Sequence, residues 1–205
     1  MNESWVNWIV ELQAIAQTGL YYSKDKYDLE HFTRIREIAA EMMSKLSDVP
    51  VEAVKGLFCN EIGYQTPKLD TRAAIFQDGK ILLVKEKSTN TWSLPSGWVD
   101  VNESVKSNAL KEVREEAGLE VEAVKLIAVQ DRNKHNKPQY AYGICKIFVL
   151  CKIISGSFKP NIETSESGFF SMDEIPELAN EKNTIEQIHM CFEAYRDDNW
   201  IVQFD

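Results

Sequence analysis

Apolar residues at the start of the chain recur at helical spacing. Trp5, Trp8, Ile9, Leu12, Ile15 and Ala16 mark one amphipathic helix, which Gly19 is expected to end. Leu29, Phe32, Ile35, Ala39, Met42 and Leu46 repeat about every 3.5 residues and predict a second helix near 28–46. A short third helix is expected after Asp48 and Pro50, with the proline near its first turn, as far as about residue 58. Residues 60–67 read as a linker broken by Gly63 and Pro67.

Beyond the linker the pattern changes to short apolar runs between turn residues. Residues 72–76 and 81–85, joined at Asp78-Gly79, predict a hairpin. Residues 92–94, 121–131, 140–154 and the pair Phe169-Phe170 predict further strands, and 173–178 and 184–195 predict helices. The reading is therefore α+β: a small all-helical N-terminal domain over 1–66, then a second domain over 67–205, with no internal repeat.

The segment richest in chemistry is the loop Gly97-Trp98-Val99-Asp100-Val101-Asn102-Glu103 and the helix after it, which carries Lys111-Glu112-Val113-Arg114-Glu115-Glu116-Ala117-Gly118-Leu119. At about 100° per residue, Glu112, Glu115 and Glu116 fall on one face. Like charges so placed repel, so a helix that keeps them is expected to hold a cation; Mg²⁺ prefers carboxylate oxygens and shares sites with phosphates. Ala109, Leu110, Val113 and Ala117 form an apolar stripe beside this face, with Ser104 as N-cap and Gly118 just past the C-terminus.

This segment resembles the Nudix box, Gly-x5-Glu-x7-Arg-Glu-U-x-Glu-Glu-x-Gly-U, where U is a bulky aliphatic residue. Gly97, Glu103, Glu112, Val113, Glu115, Glu116, Gly118 and Leu119 all match, and Lys111 stands where the family has Arg. The resemblance implies a Nudix α/β/α sandwich with a mixed sheet. It also implies metal-dependent hydrolysis of a diphosphate joined to another group, with Mg²⁺ or Mn²⁺ as cofactor. Glu112, Glu115 and Glu116 are then the metal ligands and catalytic residues, completed by a backbone carbonyl at Ser96 or Gly97. Ser96 takes a place that is often Gly in the family. Glu103 either supports this site or serves the helix dipole. Lys111 keeps the charge of the family's Arg but loses the bidentate fork that orients the glutamates.

Other candidates lie outside the box. In the family a further carboxylate comes from a downstream loop, and Asn161-Ile162-Glu163-Thr164-Ser165-Glu166 offers Glu166 or Glu163 as general base or additional ligand. The loop Asp131-Arg132-Asn133-Lys134-His135-Asn136-Lys137-Pro138 is basic, so Arg132 and Lys134 could contact phosphate or leaving group, or simply be solvated. His135 fits a hydrogen-bonded or solvated role better than a catalytic one. Arg72 could clamp a phosphate or form a structural salt bridge. Trp98 could stack on a base, whereas Trp92 suits core packing.

Bulk properties point to a soluble cytoplasmic enzyme. A net charge of −9 over 205 residues argues against DNA and anionic membranes as partners. No run approaches the roughly 18 apolar residues of a membrane span, and Met-Asn-Glu-Ser-Trp has neither a basic start nor a signal-peptide core. Cys59, Cys145, Cys151 and Cys191 lack metal-ligand spacing and read as buried reduced thiols.

Outside the box, Lys24-Asp25-Lys26-Tyr27-Asp28-Leu29-Glu30, Ile35-Arg36-Glu37-Ile38-Ala39-Ala40-Glu41-Met42, Phe58-Cys59-Asn60-Glu61, Thr66-Pro67-Lys68 and Asn183-Thr184-Ile185-Glu186-Gln187-Ile188 are similar to bacterial CDP-choline pyrophosphatase-like Nudix hydrolases. That resemblance implies cleavage of CDP-choline to CMP and phosphocholine, with RNA as a possible secondary substrate and ADP-ribose as the runner-up. A rival class is a nucleotide-sensing regulator with a DNA-binding helical domain. It is opposed by the intact glutamates and by the six Lys/Arg against ten Asp/Glu in residues 1–66. A purely dimerising N-terminal domain is compatible with the enzyme, and a homodimer is the expected assembly.

Overall fold

The structure, a computed structural model, describes residues 3–58 and 62–205. It divides into a helical unit, up to Pro67 together with Gln139–Gly143, and a second unit of Lys68–Pro138 and Ile144–Asp205. The expected linker and Cys59 fall in part on residues 59–61, outside the described residues.

The helical unit holds α1 (Glu3–Tyr22), α2 (Lys26–Ser47) and α3 (Val51–Phe58). Gly19 does not end α1. A Cβ there would lie 2.4 Å from the Phe32 ring, so this glycine lets α2 approach α1 closely. Asp25 starts α2 by accepting from the amides of Tyr27 and Asp28, and Asp48 ends it at φ 55°. The unit's core is Val6, Ile9, Ala39, Ala40, Met43 and Val54, with Ala141 packed against it. Trp5, Trp8, Leu12 and Ile15 are exposed instead. Their stripe is therefore the outer shoulder of α1, and Val6, Ile9 and Ala16 do the packing inside.

The second unit is built on one mixed sheet. It comprises β1 (Lys68–Gln77), β2 (Lys80–Glu86), β3 (Trp92–Ser93), β4 (Ser96–Trp98), β5 (Leu119–Asp131), β6 (Ile144–Gly156), β7 (Thr164–Phe170) and β8 (Gln203–Phe204). The order is β3-β2-β1-β6-β5-β8, with β4 also on β1 and β7 also on β2. β1 runs parallel to β6 from Lys68↔Ile144 to Ile75↔Cys151 and antiparallel to β4 through Asp70↔Trp98, Thr71↔Gly97 and Arg72↔Ser96. Side chains alternate across β1. Ala73 and Ile75 meet α4 (Val105–Ala117) through Val113 and Ala117, while Ala74 and Phe76 meet α6 (Ile185–Arg196) through Ile188 and Phe192. Helices cover both faces, which gives the α/β/α sandwich.

Three expectations change. The strand expected from residue 140 starts at Ile144, because Gln139–Gly143 belongs to the helical unit. The helix expected over 173–178 is one turn of 3-10 helix, Met172–Glu174, after which the Glu177 carbonyl accepts from the Trp92 amide at 2.9 Å. The basic loop contains a single helical turn, α5 (Arg132–His135). Cys145, Cys151 and Cys191 are free thiols, and burial pushes Cys151 up to about 12. Among the described residues, no helix is long and apolar enough to cross a membrane.

Candidate active site

α4 is anchored at both ends. Ser104 accepts from the Ser107 amide and Ser107 answers on the Ser104 amide, while Gly118, at φ 67°, donates back to the Arg114 carbonyl. Anchoring presents the carboxylates beside β4. The Ser96 amide donates to Glu116 Oε2 at 2.8 Å, and Gly97 faces Glu112 so closely that a Cβ would stand 2.4 Å from its Cδ. Glu112 and Glu116 are buried, whereas Glu115 is exposed. The three glutamates therefore share a face but not an environment.

The electrostatics favour a cation. Burial raises Glu112 to about 7, helped by Glu115, Glu163 and Asp100 and opposed by Lys111. Burial raises Glu116 to about 8, with Glu86 and Glu112 adding to it and the Ser96 amide and Lys182 opposing. Among the described residues, no three His, Cys, Asp or Glu side chains already converge as a ligand set. Glu112 and Glu116 still fit a hard divalent ion: both are oxygen donors, both are crowded by like charge, and the missing side chain at Gly97 makes room for the Glu112 carboxylate beside β4. Closing such a set would draw in Glu115 or Glu163.

The remaining candidates separate clearly. Lys111 donates to Asp100 at 2.9 Å and lies 3.8 Å from Glu112 and 3.7 Å from Glu115, a point charge among three carboxylates. Glu103 sits half-buried in the turn before Ser104, its amide on the Asp100 carbonyl. Glu166 pairs with Lys85 at 3.0 Å on the neighbouring strand, whereas Glu163 acts on Glu112. Glu163 is held by an Asn161 turn: Asn161 Oδ1 accepts from the amides of Glu163 and Thr164, and Asn161 Nδ2 and Thr164 Oγ1 both donate to the Glu116 carbonyl.

Of the proposed substrate contacts, Arg72 is 6% exposed and engaged with Asp70 and Ser96, which is the salt-bridge alternative. Arg132 is interior as well, bonded to the Pro138 carbonyl and Asn133. Lys134 and Trp98 lie at the surface. His135 pairs with Asp205 at 2.6 Å, and Trp92 packs edge-on against Phe170.

Sequence reasoning missed Glu86 and Lys182. Glu86 ends β2 buried, accepts from Ser93 at 2.6 Å and is paired with Lys182 at 2.5 Å, both beside Glu116. An acidic residue closing the apolar run 81–84 was the only visible signal. Lys182 comes from a loop tethered underneath by buried Lys146, which donates to the carbonyls of Glu181 and Lys182 and to Asn136 Oδ1. Desolvation and Arg72 push Lys146 down to about 6.

Comparison with known proteins identifies the family. Residues 67–190 match the family profile described as the NUDIX domain, and residues 3–58 match one described as a UDP-X-like, N-terminal oligomerisation domain. A putative ADP-ribose pyrophosphatase of Bacillus subtilis is 39% identical over 98% of this chain and 97% of its own. A crystal structure of an ADP-ribose pyrophosphatase from Streptococcus suis is 54% identical, covering 68% of this chain and 100% of that one, with a TM-score of 0.64. A crystal structure of UDP-X diphosphatase is 32% identical over 98% of both chains, with a TM-score of 0.65. The chain thus belongs to the Nudix family, as a pyrophosphohydrolase of a nucleoside diphosphate linked to a second group.

Proposed function

We propose that this enzyme cleaves the diphosphate of ADP-ribose or a similar nucleoside diphosphate joined to a sugar, in the cytoplasm and as a homodimer. The observation that carries the chemistry is the pair Glu112 and Glu116, buried against Ser96 and Gly97 and crowded by neighbouring carboxylates. These glutamates, with Glu115 and a Ser96 or Gly97 carbonyl, would hold Mg²⁺ or Mn²⁺, which when bound neutralises the diphosphate and makes a water easier to deprotonate. Glu163, whose amide is bonded to Asn161 and whose charge reaches Glu112, would take the proton from the attacking water in preference to Glu166. Water adds to one phosphorus, the bridging P–O bond breaks, and two monophosphates leave. Lys111 holds Glu112 and Glu115 in register from outside.

The names of the relatives favour ADP-ribose and UDP-linked compounds. CDP-choline rests on the extension residues alone. One assay decides: ADP-ribose, a UDP-sugar, CDP-choline and a capped RNA are each offered with Mg²⁺ and with Mn²⁺, and monophosphate products are quantified. ADP-ribose or the UDP-sugar should give the highest kcat/KM; preference for CDP-choline would overturn the substrate assignment but not the site. The dimer reading rests on Trp5, Trp8, Leu12 and Ile15, an exposed apolar stripe on α1 within the part that matches an oligomerisation domain.

A further inference from the structure

We infer that Arg72 is a positioning residue of the glutamate site, holding Glu116 in place through Ser96, rather than a group that touches substrate. The inference rests on the reading that Glu116 serves the diphosphate reaction. Asp70 and Arg72 lie two apart on β1 and so share a face of the sheet. Arg72 Nε and Nη2 donate to the same oxygen, Asp70 Oδ2, at 3.0 and 2.5 Å. That leaves Nη1, which donates to Ser96 Oγ at 2.6 Å. Ser96 is also the residue paired with Arg72 across the β1–β4 ladder, and its amide donates to Glu116 Oε2 at 2.8 Å. The result is one continuous chain of hydrogen bonds, Asp70 to Arg72 to Ser96 to Glu116. None of its members is more than 6% exposed.

Two physical points favour positioning over substrate contact. A guanidinium swung toward a diphosphate would abandon Asp70 and leave a buried carboxylate without its partner, which is strongly unfavourable. The side chain also spans two fixed acceptors with its planar fork, a geometry lysine cannot copy. The serine hydroxyl is what joins the two halves. With glycine at position 96 the ladder would survive, but Arg72 would lose its grip on the loop that carries the amide bonded to Glu116.

The test measures Mn²⁺ affinity without substrate, by the loss of the free-ion paramagnetic resonance signal, alongside steady-state kinetics at saturating metal. Ser96→Ala and Arg72→Met should each weaken Mn²⁺ binding by about tenfold, in the range seen when groups supporting metal ligands are removed. The double variant should be no weaker than either single one, because both cut the same chain. KM for the nucleotide should stay near the wild-type value, and Arg72→Lys should restore little. Asp70→Asn with Arg72→Met removes the stranded charge and guards against a variant that fails to fold. Ser96→Ala alone keeps the charge pair intact and reads the same link. A raised nucleotide KM with intact Mn²⁺ affinity in Arg72→Met, or additive losses in the double variant, would overturn the inference. Glu116→Gln is the control. If it leaves Mn²⁺ affinity unchanged, the glutamate site itself is misassigned and the positioning role falls with it; if it weakens binding while Ser96→Ala does not, only the positioning role fails.

Discussion

Replacing Gly97 with alanine should separate function from stability. The Gly97 backbone lies outside the left-handed region, so alanine meets no backbone strain there. Its Cβ would stand 2.4 Å from Glu112 Cδ and 2.5 and 2.6 Å from the carboxylate oxygens. Ordinary contacts lie at about 3.5 Å or more, so the carboxylate must retreat by about 1 Å. What moves is the tip of a flexible side chain that already suffers repulsion, not backbone or core. The stability cost should therefore stay near the bottom of the overpacking range, about 1 kcal/mol. Function should suffer far more. A 1 Å displacement at a reacting centre can cost about 10²-fold in rate, equivalent to about 2.7 kcal/mol of barrier. Gly97→Ala should then lose kcat and Mn²⁺ affinity while its melting temperature in EDTA shifts by only a few degrees. Wild-type kcat and metal affinity in this variant would refute the placement of Glu112 as a ligand. A collapse in melting temperature matching the lost activity would show instead that Gly97 serves the fold.

Metal-free stability should depend on pH with a definite sign. Glu112 and Glu116, raised from 4.5 to about 7 and about 8, keep protons that the unfolded chain releases. Their contribution is full below about pH 4.5 and is lost as pH climbs through 7 to 8. The melting temperature in EDTA should fall across that interval, saturating Mg²⁺ should reverse the trend, and an unchanged slope in Glu116→Gln would count against this assignment. Lys111→Arg should be neutral or mildly improving in turnover and Lys111→Ala harmful; a strongly impaired Lys111→Arg would show that the site is tailored to lysine. Lys182→Met should destabilise by about 1–3 kcal/mol because it strands buried Glu86, and Glu86→Gln added to it should recover most of the loss in denaturant melts. Trp8→Glu, placing a charge on the exposed stripe of α1, should convert a dimer to monomer by light scattering, and a wild-type chain that is already monomeric at micromolar concentration refutes the dimer.

Local signals settled much of this protein in advance. Period and caps announced α2, α3, α4 and α6, and the spacing of Glu112, Glu115 and Glu116 announced a cation site, because helical geometry alone puts those side chains on one face; the reaction class came from the likeness of that segment to the Nudix box. Capping by Ser104 and Gly118 is equally local. What the sequence could not carry was the environment of each group, which depends on segments far apart in the chain. Whether Gly19 ends a helix or admits a ring was decided by Phe32 on the next helix. Which shoulder of α1 is buried depended on Ala39, Ala40 and Met43. Glu163 and Glu166 look alike in sequence, but pairing with Lys85 draws one to β2 while the Asn161 turn brings the other beside Glu112. Arg72 reads equally as a phosphate clamp or a structural salt bridge until Asp70 and Ser96 are seen to occupy it. Glu86 and Lys182 are 96 residues apart and meet only because the loop carrying Lys182 is tethered beneath by Lys146. Burial and charge pairing sum over the whole tertiary neighbourhood, so a motif can name the glutamates while only the fold sets their proton affinity and their partners.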